Sequence, residues 1–170
     1  MRFFTISAAG ALMLLTVSSA LQAQRPDDQI DPRSTALVQE ARAAQAAGNV
    51  DAANDKLESA LAVDPRNREA FILLADIARG HGLPGKAIRL YREALLLEPN
   101  DVVALRGQGE AMVAKGAVER AKENLAKIKT ICGAGACGDA TALAAVIAKG
   151  PPITSTAQAD EPAKPVTAKP

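Results

Sequence analysis

The chain has 170 residues, of which 48% are hydrophobic and 23% are charged, proportions that are usual for a globular protein. Twenty basic and nineteen acidic residues leave a formal charge of +1, which excludes strong long-range attraction to nucleic acid or to an anionic membrane. Aromatic residues make up only 2% of the chain, so a surface that stacks nucleotide bases is excluded as well. One His and two Cys argue against a zinc site, and we expect neither a metal nor a cofactor.

Residues 1–23 have the three-part layout of a secretory signal peptide. Arg2 supplies a positive charge, the run 3–17 is uncharged and largely apolar, and small residues follow it. Cleavage near Ala20 or Ala23 is predicted, which places the mature protein in the periplasm or outside the cell. The alternative interpretation is an uncleaved membrane anchor, because the uncharged run approaches the length of a membrane span. After cleavage, we expect no stable membrane insertion.

Two further segments lack the apolar periodicity of a packed element. Residues 24–33 contain prolines and aspartates, and they are predicted to form a flexible linker. Residues 150–170 contain five prolines and no aromatic residue, a composition that predicts a disordered, Pro-rich tail. The domain is therefore expected between them, at residues 34–149.

Residues of the same class recur every 34 positions across this central segment. An acidic residue precedes Pro65 and Pro99, and glycine recurs at Gly48, Gly82 and Gly116. Alanine and bulky apolar side chains keep the same spacing: Ala53, Ala87 and Ala121; Leu57, Tyr91 and Leu125; Leu37, Phe71 and Leu105. Such a period indicates a repeat architecture with units 34–67, 68–101 and 102–135.

Each unit is predicted to be a pair of helices joined at its glycine. Apolar residues fall at helical spacing on both sides of the glycine. Asn49 and Asp101 are predicted helix N-caps, and Pro84 is suited to a first turn. The alanines are expected where helices approach closely, with the bulky residues filling the space beside them.

A further helix is predicted at residues 139–149, with Asp139 as its N-cap. Its apolar stripe consists of Ala140, Leu143, Ala144 and Ile147. Because the last hairpin of a repeat array leaves an apolar face uncovered, we expect this helix to cap it. The predicted fold is therefore all-α: an α-solenoid of three helix hairpins with a C-terminal capping helix.

This pattern of period, small residues and prolines resembles the tetratricopeptide repeat (TPR) family. The middle unit matches best, through Phe71, Leu74, Ala75, Ala87, Tyr91, Ala94 and Pro99. The first unit departs from the family pattern at Glu40 and Ala44, and the third at Gln108, Ile128 and Gly133. The Lys/Asn pattern with which some members hold a C-terminal carboxylate is missing, because Val38 and Arg42 stand at those places.

The resemblance implies protein or peptide binding on a concave surface lined by the first helix of each unit. The family commonly contacts ligands through four positions of that helix. In this chain they are Thr35, Val38, Arg42, Gln45, Glu69, Ile72, Asp76, Arg79, Val103, Arg106, Glu110 and Val113.

Cys132 and Cys137 are the only cysteines, and they flank a glycine-rich turn before the capping helix. In an oxidising compartment we expect them to form a disulfide that stabilises this turn. A redox-active pair is the alternative, although the spacing is not that of a Cys-x-x-Cys motif.

The sequence contains no motif that indicates a catalytic nucleophile, and we predict that the protein is not an enzyme. His81 is interpreted as a solvated turn residue, and Asp76 and Glu110 occupy equivalent helix positions from which they could approach each other.

The third unit is locally basic, and we interpret that as a solvated helix face. Its cations are Lys115, Arg120, Lys122, Lys127 and Lys129.

Taken together, these features predict an exported, periplasmic adaptor or scaffold. Its expected partner is an unidentified envelope protein or peptide, with no role for nucleic acid. Two alternatives remain at this point: a periplasmic thiol–disulfide participant that uses Cys132 and Cys137, and a structural repeat protein that assembles with itself.

Overall fold

A computed structural model of the protein describes residues 29–133, 135 and 137–152. The predicted signal peptide at 1–23, the start of the linker at 24–28 and residues 153–170 of the tail lie outside the described residues. The helices of the described residues all belong to one compact unit that starts at Asp31.

The described part of the chain contains seven helices and no strand. They are α1 (Pro32–Ala46), α2 (Val50–Val63), α3 (Arg68–Gly80), α4 (Pro84–Leu97), α5 (Val102–Ala114), α6 (Val118–Cys132) and α7 (Gly138–Lys149). Each odd-numbered helix from α1 to α5 packs on the helix that follows it, and successive hairpins stack through α2 on α3 and α4 on α5. The fold is therefore the predicted all-α solenoid. Within the described residues, every helix is too short or too polar to be a transmembrane span.

The helix boundaries follow from short-range chemistry that the sequence makes visible. The side chains of Asn49 and Asp101 accept hydrogen bonds from backbone N–H groups of the first turns of α2 and α5, at 3.1 and 2.9 Å, as expected. Asn67 caps α3 in the same way. The turn at Gly48 has a φ of 77°, a conformation that favours glycine, and Gly82 and Gly116 repeat it.

Helix α1 begins at Pro32, inside the segment predicted to be a flexible linker up to Arg33. The reason is a capping interaction, because the Asp31 carboxylate accepts a hydrogen bond from the Arg33 backbone N–H at 2.8 Å. Asp31 is itself buried, and its backbone N–H donates to the carboxylate of Asp64 at 2.9 Å. The ordered domain thus starts earlier than the pattern of apolar residues indicated.

Alanine occupies the closest helix contacts, as expected from the repeat. Ala53, Ala60, Ala87 and Ala94 have no exposed surface at all. The largest fully buried side chains beside them are Tyr91, Leu57, Ile128 and Leu143. Small side chains at the contacts thus allow the helices to approach one another closely, and the large side chains fill the space beside them.

Helix α7 packs on both helices of the third hairpin, α5 and α6. It begins at Gly138, and the residue in the cap position is Cys137, which provides no side-chain cap. The prediction of Asp139 as the N-cap is therefore wrong: its carboxylate accepts a hydrogen bond from Arg106 on α5 instead, at 2.7 Å. Because the helix starts one residue earlier, Asp139 lies in its first turn, where a carboxylate is also favoured by the positive end of the helix dipole.

We expect the buried carboxylate of Asp64 to make folding sensitive to acid. The backbone N–H of Asp31 and the Arg66 backbone and side chain all donate to it, and they lower its pKa against an opposing effect of burial. Its stabilising effect is complete above about pH 5 and disappears as the pH falls through the lowered pKa of the folded state. Asp64→Asn should reduce the free energy of unfolding at pH 7 by about 1–3 kcal/mol.

Urea unfolding monitored by circular dichroism between pH 7 and pH 3 tests this expectation. The difference between the wild type and Asp64→Asn should shrink as the pH falls. Asp55→Asn, a matched change on the exposed side of α2, should leave the pH profile as it is. A difference between wild type and Asp64→Asn that stays constant down to pH 3 would show that the Asp64 charge has no such effect.

Candidate functional site

The residues predicted to bind a partner lie on α1, α3 and α5, the first helices of the three hairpins. The structure corrects two of them. Val38 has 0% of its surface exposed and Val113 has 1%, so neither can contact a ligand. Val38 packs in the core with Leu57 and Leu74, and Val113 packs with Ala121 and the half-buried Val146 of α7. Both side chains are apolar, and burying them in the core stabilises the folded protein more than leaving them exposed for a partner would.

The remaining ten residues keep some exposed surface, and we call the surface that they form the first-helix face. Four of them are exposed: Thr35, Arg42, Gln45 and Val103. The other six are half-buried: Glu69, Ile72, Asp76, Arg79, Arg106 and Glu110. The face therefore combines charged groups of both signs with two apolar side chains.

Ion pairs connect neighbouring first helices across this face. Arg42 on α1 donates to Glu69 on α3, with its Nη2 at 2.5 Å and its Nε at 2.9 Å from Oε1. Both side chains remain about half exposed, at 49% and 42%. The pair is bidentate at the guanidinium but open to water, so it aligns α1 with α3 at a modest gain in stability.

A longer set of ion pairs links α3, α5 and α7, and we call it the ion-pair chain. Arg79 lies between the two carboxylates predicted to approach each other, at 3.3 Å from Asp76 and 2.9 Å from Glu110. Arg106 pairs with the same Glu110 at 2.9 Å and with Asp139 at 2.7 Å. The positive charge of Arg79 thus offsets the repulsion between Asp76 and Glu110, which occupy equivalent positions in their helices.

Burial and pairing act in opposite directions on the two arginines. Burial lowers the pKa of Arg79, but its contacts with Tyr91, Glu110 and Asp76 outweigh that effect and raise it overall. The pKa of Arg106 is likewise raised, because bonds to Asp139 and Glu110 outweigh its burial. Both guanidinium groups therefore stay charged at any physiological pH.

Tyr91 anchors the ion-pair chain from the core. Its ring is fully buried, and its hydroxyl donates to the Asp76 carboxylate at 2.6 Å. Burial raises the pKa of the phenol, and the hydrogen bond to Asp76 raises it further. The hydroxyl therefore remains a neutral donor, and one core residue fixes the position of a surface carboxylate.

Asp139 also belongs to the ion-pair chain, although the repeat pattern did not predict it. A usable signal was present, because Arg106 and Asp139 are separated by 33 residues. Arg68 and Asp101, which form an ion pair between α3 and the cap of α5, have the same separation. Residues of opposite charge that are separated by about one repeat length thus indicate a contact between consecutive odd-numbered helices.

Cys132 and Cys137 come together at the junction of α6 and α7. Their sulfur atoms lie within bonding distance and their Cα atoms are 6.0 Å apart, a separation that suits a disulfide. Both side chains are half-buried against the core residues around Leu143. This geometry favours a pairing that holds α7 on the third hairpin.

His81 is exposed at the end of α3, in agreement with its interpretation as a solvated turn residue. Within the described residues, no three side chains of His, Cys, Asp or Glu come together in an arrangement that could hold a metal ion. The exposed groups of the first-helix face offer ion pairing and apolar contact.

Hairpins of similar length that stack on one another define the class of α-helical repeat proteins. A sequence model described as "Tetratricopeptide repeat" matches residues 38–101 and 72–127, more than half of the chain. The chain belongs to the tetratricopeptide repeat family. A comparison of this chain with curated proteins found no match.

Solved structures support the same fold. The TPR domain of Sgt2 from Aspergillus fumigatus is 24% identical, with a TM-score of 0.63 over 82% of this chain and 89% of that one. The first TPR of Spaghetti (RPAP3), bound to the HSP90 peptide SRMEEVD, is 19% identical, with a TM-score of 0.63 over 69% and 91%.

A third similar structure belongs to a much larger protein. A mutant O-GlcNAc transferase from Thermobaculum terrenum is 31% identical, with a TM-score of 0.55 over 58% of this chain. The match spans only 19% of the transferase chain. The likeness therefore concerns a repeat segment.

Proposed function

We propose that this protein is an exported adaptor that binds a protein or peptide along its first-helix face. The observation that carries the proposal is the set of ion pairs between consecutive first helices. These pairs join α1 to α3, α3 to α5 and α5 to α7, which supports the proposal of one continuous surface for an extended segment or a partner helix. The peptide-bound structure of Spaghetti supports binding as the general activity of such a fold.

The residues of this surface differ in how far ion pairs engage them and in how exposed they are. Arg79, Arg106 and Glu110 are engaged in the ion-pair chain, so their main effect is to align the helices. Arg42 and Val103 are more exposed, and they offer a charge and an apolar contact to a partner. We therefore propose that the accessible residues supply most of the binding energy, while the ion-pair chain holds them in place.

Export is part of the proposal, and it is supported by the leader-like composition of residues 1–23. An oxidising compartment would also permit the Cys132–Cys137 disulfide, which the proximity of the two sulfur atoms supports. The adaptor acts by binding alone, and we propose no reaction for it.

Photo-crosslinking in intact cells tests both parts of the proposal. A photoreactive amino acid at Val103 should yield a discrete covalent adduct, recovered from the periplasm with a chain that has lost its leader. The same group at Glu58, exposed on α2, should not yield that adduct. Arg42→Glu should reduce the Val103 adduct by about tenfold, whereas Lys129→Glu on α6 should not change it.

The outcomes separate the two parts. An adduct that forms equally from Glu58, or that survives Arg42→Glu unchanged, would contradict binding at the first-helix face. Recovery of the uncleaved chain from the cytoplasm would contradict export. Circular dichroism of each variant confirms that the helices remain intact.

A further inference from the structure

A cleft of about 380 Å³ lies outside the first-helix face, between α4 and the turn that joins α5 to α6. Ile88 and Met112 form its apolar part. Four cations line it, and no Asp or Glu among the described residues does so. They are Arg89, Arg92, Lys115 and Arg120, and we call this site the basic cleft.

The four cations differ from the arginines of the first-helix face in having no carboxylate partner. Arg79 and Arg106 each contact two carboxylates. Among the described residues, none of the four cations of the basic cleft forms a salt bridge, and all four side chains are exposed. Like charges gathered around a recess repel one another, so a bound anion would lower the energy of the site.

Two helix N-termini add to the positive potential of the basic cleft. Helices α4 and α6 both begin there, and neither has a side-chain hydrogen bond to cap its first turn. The Lys115 ammonium lies 3.7 Å from where a Cβ on Gly85 would stand, against the first turn of α4. A cation beside the positive end of a helix is unfavourable, and an anion in the basic cleft would offset that arrangement.

The shape and lining of the basic cleft favour a peptide over other anions. The half-buried Ile88 offers an apolar contact in the cleft, which a free phosphate would not use. A flat bilayer surface would not enter a recess. Single-stranded nucleic acid would need aromatic side chains to stack on, and Tyr91, the aromatic residue of α4, is fully buried.

We propose that the basic cleft is a second binding surface, which takes an acidic segment of a partner protein. An apolar side chain of that segment packs on Ile88, which is half-buried at the floor of the cleft, and the carboxylates on either side of it pair with the four cations. The surface is separate from the first-helix face, so one adaptor can hold two segments at the same time.

Fluorescence anisotropy with the mature chain and a labelled peptide of four Glu-Glu-Leu repeats tests the proposal. The peptide should bind, and its affinity should fall by about tenfold between low and moderate salt. A peptide of Gln-Gln-Leu repeats should bind at least tenfold more weakly, because it lacks charge. A peptide of Glu-Glu-Gly repeats should also bind more weakly, because it lacks the apolar side chain.

Paired charge reversals locate the binding surface. Arg89→Glu with Arg92→Glu should weaken binding of the acidic peptide by at least tenfold, because both cations line the cleft. Lys129→Glu with Lys149→Glu changes the net charge by the same amount on exposed positions outside it, and should have little effect. Urea unfolding checks that both double variants are folded.

Three results would overturn the proposal: no binding of the acidic peptide, equal loss of binding in the two double variants, or equal binding of the Glu-Glu-Leu and Glu-Glu-Gly peptides. Tighter binding of phosphatidylglycerol vesicles or of single-stranded DNA would also overturn it, because the cleft would then serve a different class of partner.

Discussion

Gly107→Ala is expected to destabilise the protein by about 2–3 kcal/mol, an unusually large effect for the addition of one methyl group. Gly107 lies on α5, where it faces the ring of Tyr91 on α4. A Cβ atom at this position would stand 2.4 Å from both Cζ and Oη of Tyr91, far inside the contact distance. The ring has little freedom to move, because it is fully buried and its hydroxyl is bonded to Asp76.

Urea unfolding measures this effect, and Gly80→Ala provides the control. Gly80 ends α3, and a Cβ there would meet no atom within 4 Å. That change should leave stability unaltered or raise it by up to about 1 kcal/mol, since alanine favours helix more than glycine. Equal effects at the two glycines would contradict the close contact with Tyr91.

A second substitution tests the cause of the loss. Leucine stands at the position equivalent to Tyr91 in the other two units, as Leu57 and Leu125. In a Tyr91→Leu background, the shorter side chain leaves room for a methyl group at position 107. We expect Gly107→Ala to cost less than about 1 kcal/mol there, and the cycle of variants to be clearly non-additive.

Leu143→Ala is expected to destabilise the protein by about 2–4 kcal/mol. Leu143 is the fully buried anchor of α7, and it packs in one cluster with Leu105 and Ile128. Its side chain lies directly over Gly109 of α5, where a Cβ would stand 2.7 Å from Cδ2 and 2.8 Å from Cδ1. The absence of a side chain at Gly109 is therefore what allows α7 to approach α5.

The double variant gives the sharper result. Gly109→Ala alone should destabilise through the clash with Leu143, and Leu143→Ala alone should leave a cavity. Together, the new methyl group fills part of that cavity, so the combined loss in the free energy of unfolding should fall short of the sum of the two. Simple additivity would indicate that α7 does not pack against Gly109. The measurement is again urea unfolding, with Gly80→Ala as the control.

Much of the fold could be predicted because it depends on short-range interactions. The spacing of Gly48, Gly82 and Gly116 identified the turns, since each needs a backbone conformation that glycine adopts at low cost. Asn49 and Asp101 identified helix starts because a cap bonds to amides a few residues away. In each case, the residue and its effect lie within one turn of helix.

The candidate site was predicted less completely, since exposure depends on neighbours that are distant in the sequence. Val38 and Val113 occupy the same helix faces as Arg42 and Arg106, and the packing of neighbouring helices decides that they are buried. Asp139 was expected to act within its own helix. It pairs with Arg106 because α7 lies on α5.

The repeat pattern was enough to predict the period of 34 residues, the helix pairs, the caps of α2 and α5, the glycine turns, and the positions of alanine and large side chains. These depend on the conformational preferences of residues and on contacts within one hairpin. Which cations find a carboxylate partner depends instead on how the hairpins stack. Stacking brings Arg79 and Arg106 close to carboxylates of adjacent helices, but it brings Arg89 and Arg92 close to the other cations of the basic cleft. The energy of a charge pair depends on the distance between the charges in space, so their separation along the chain does not reveal it.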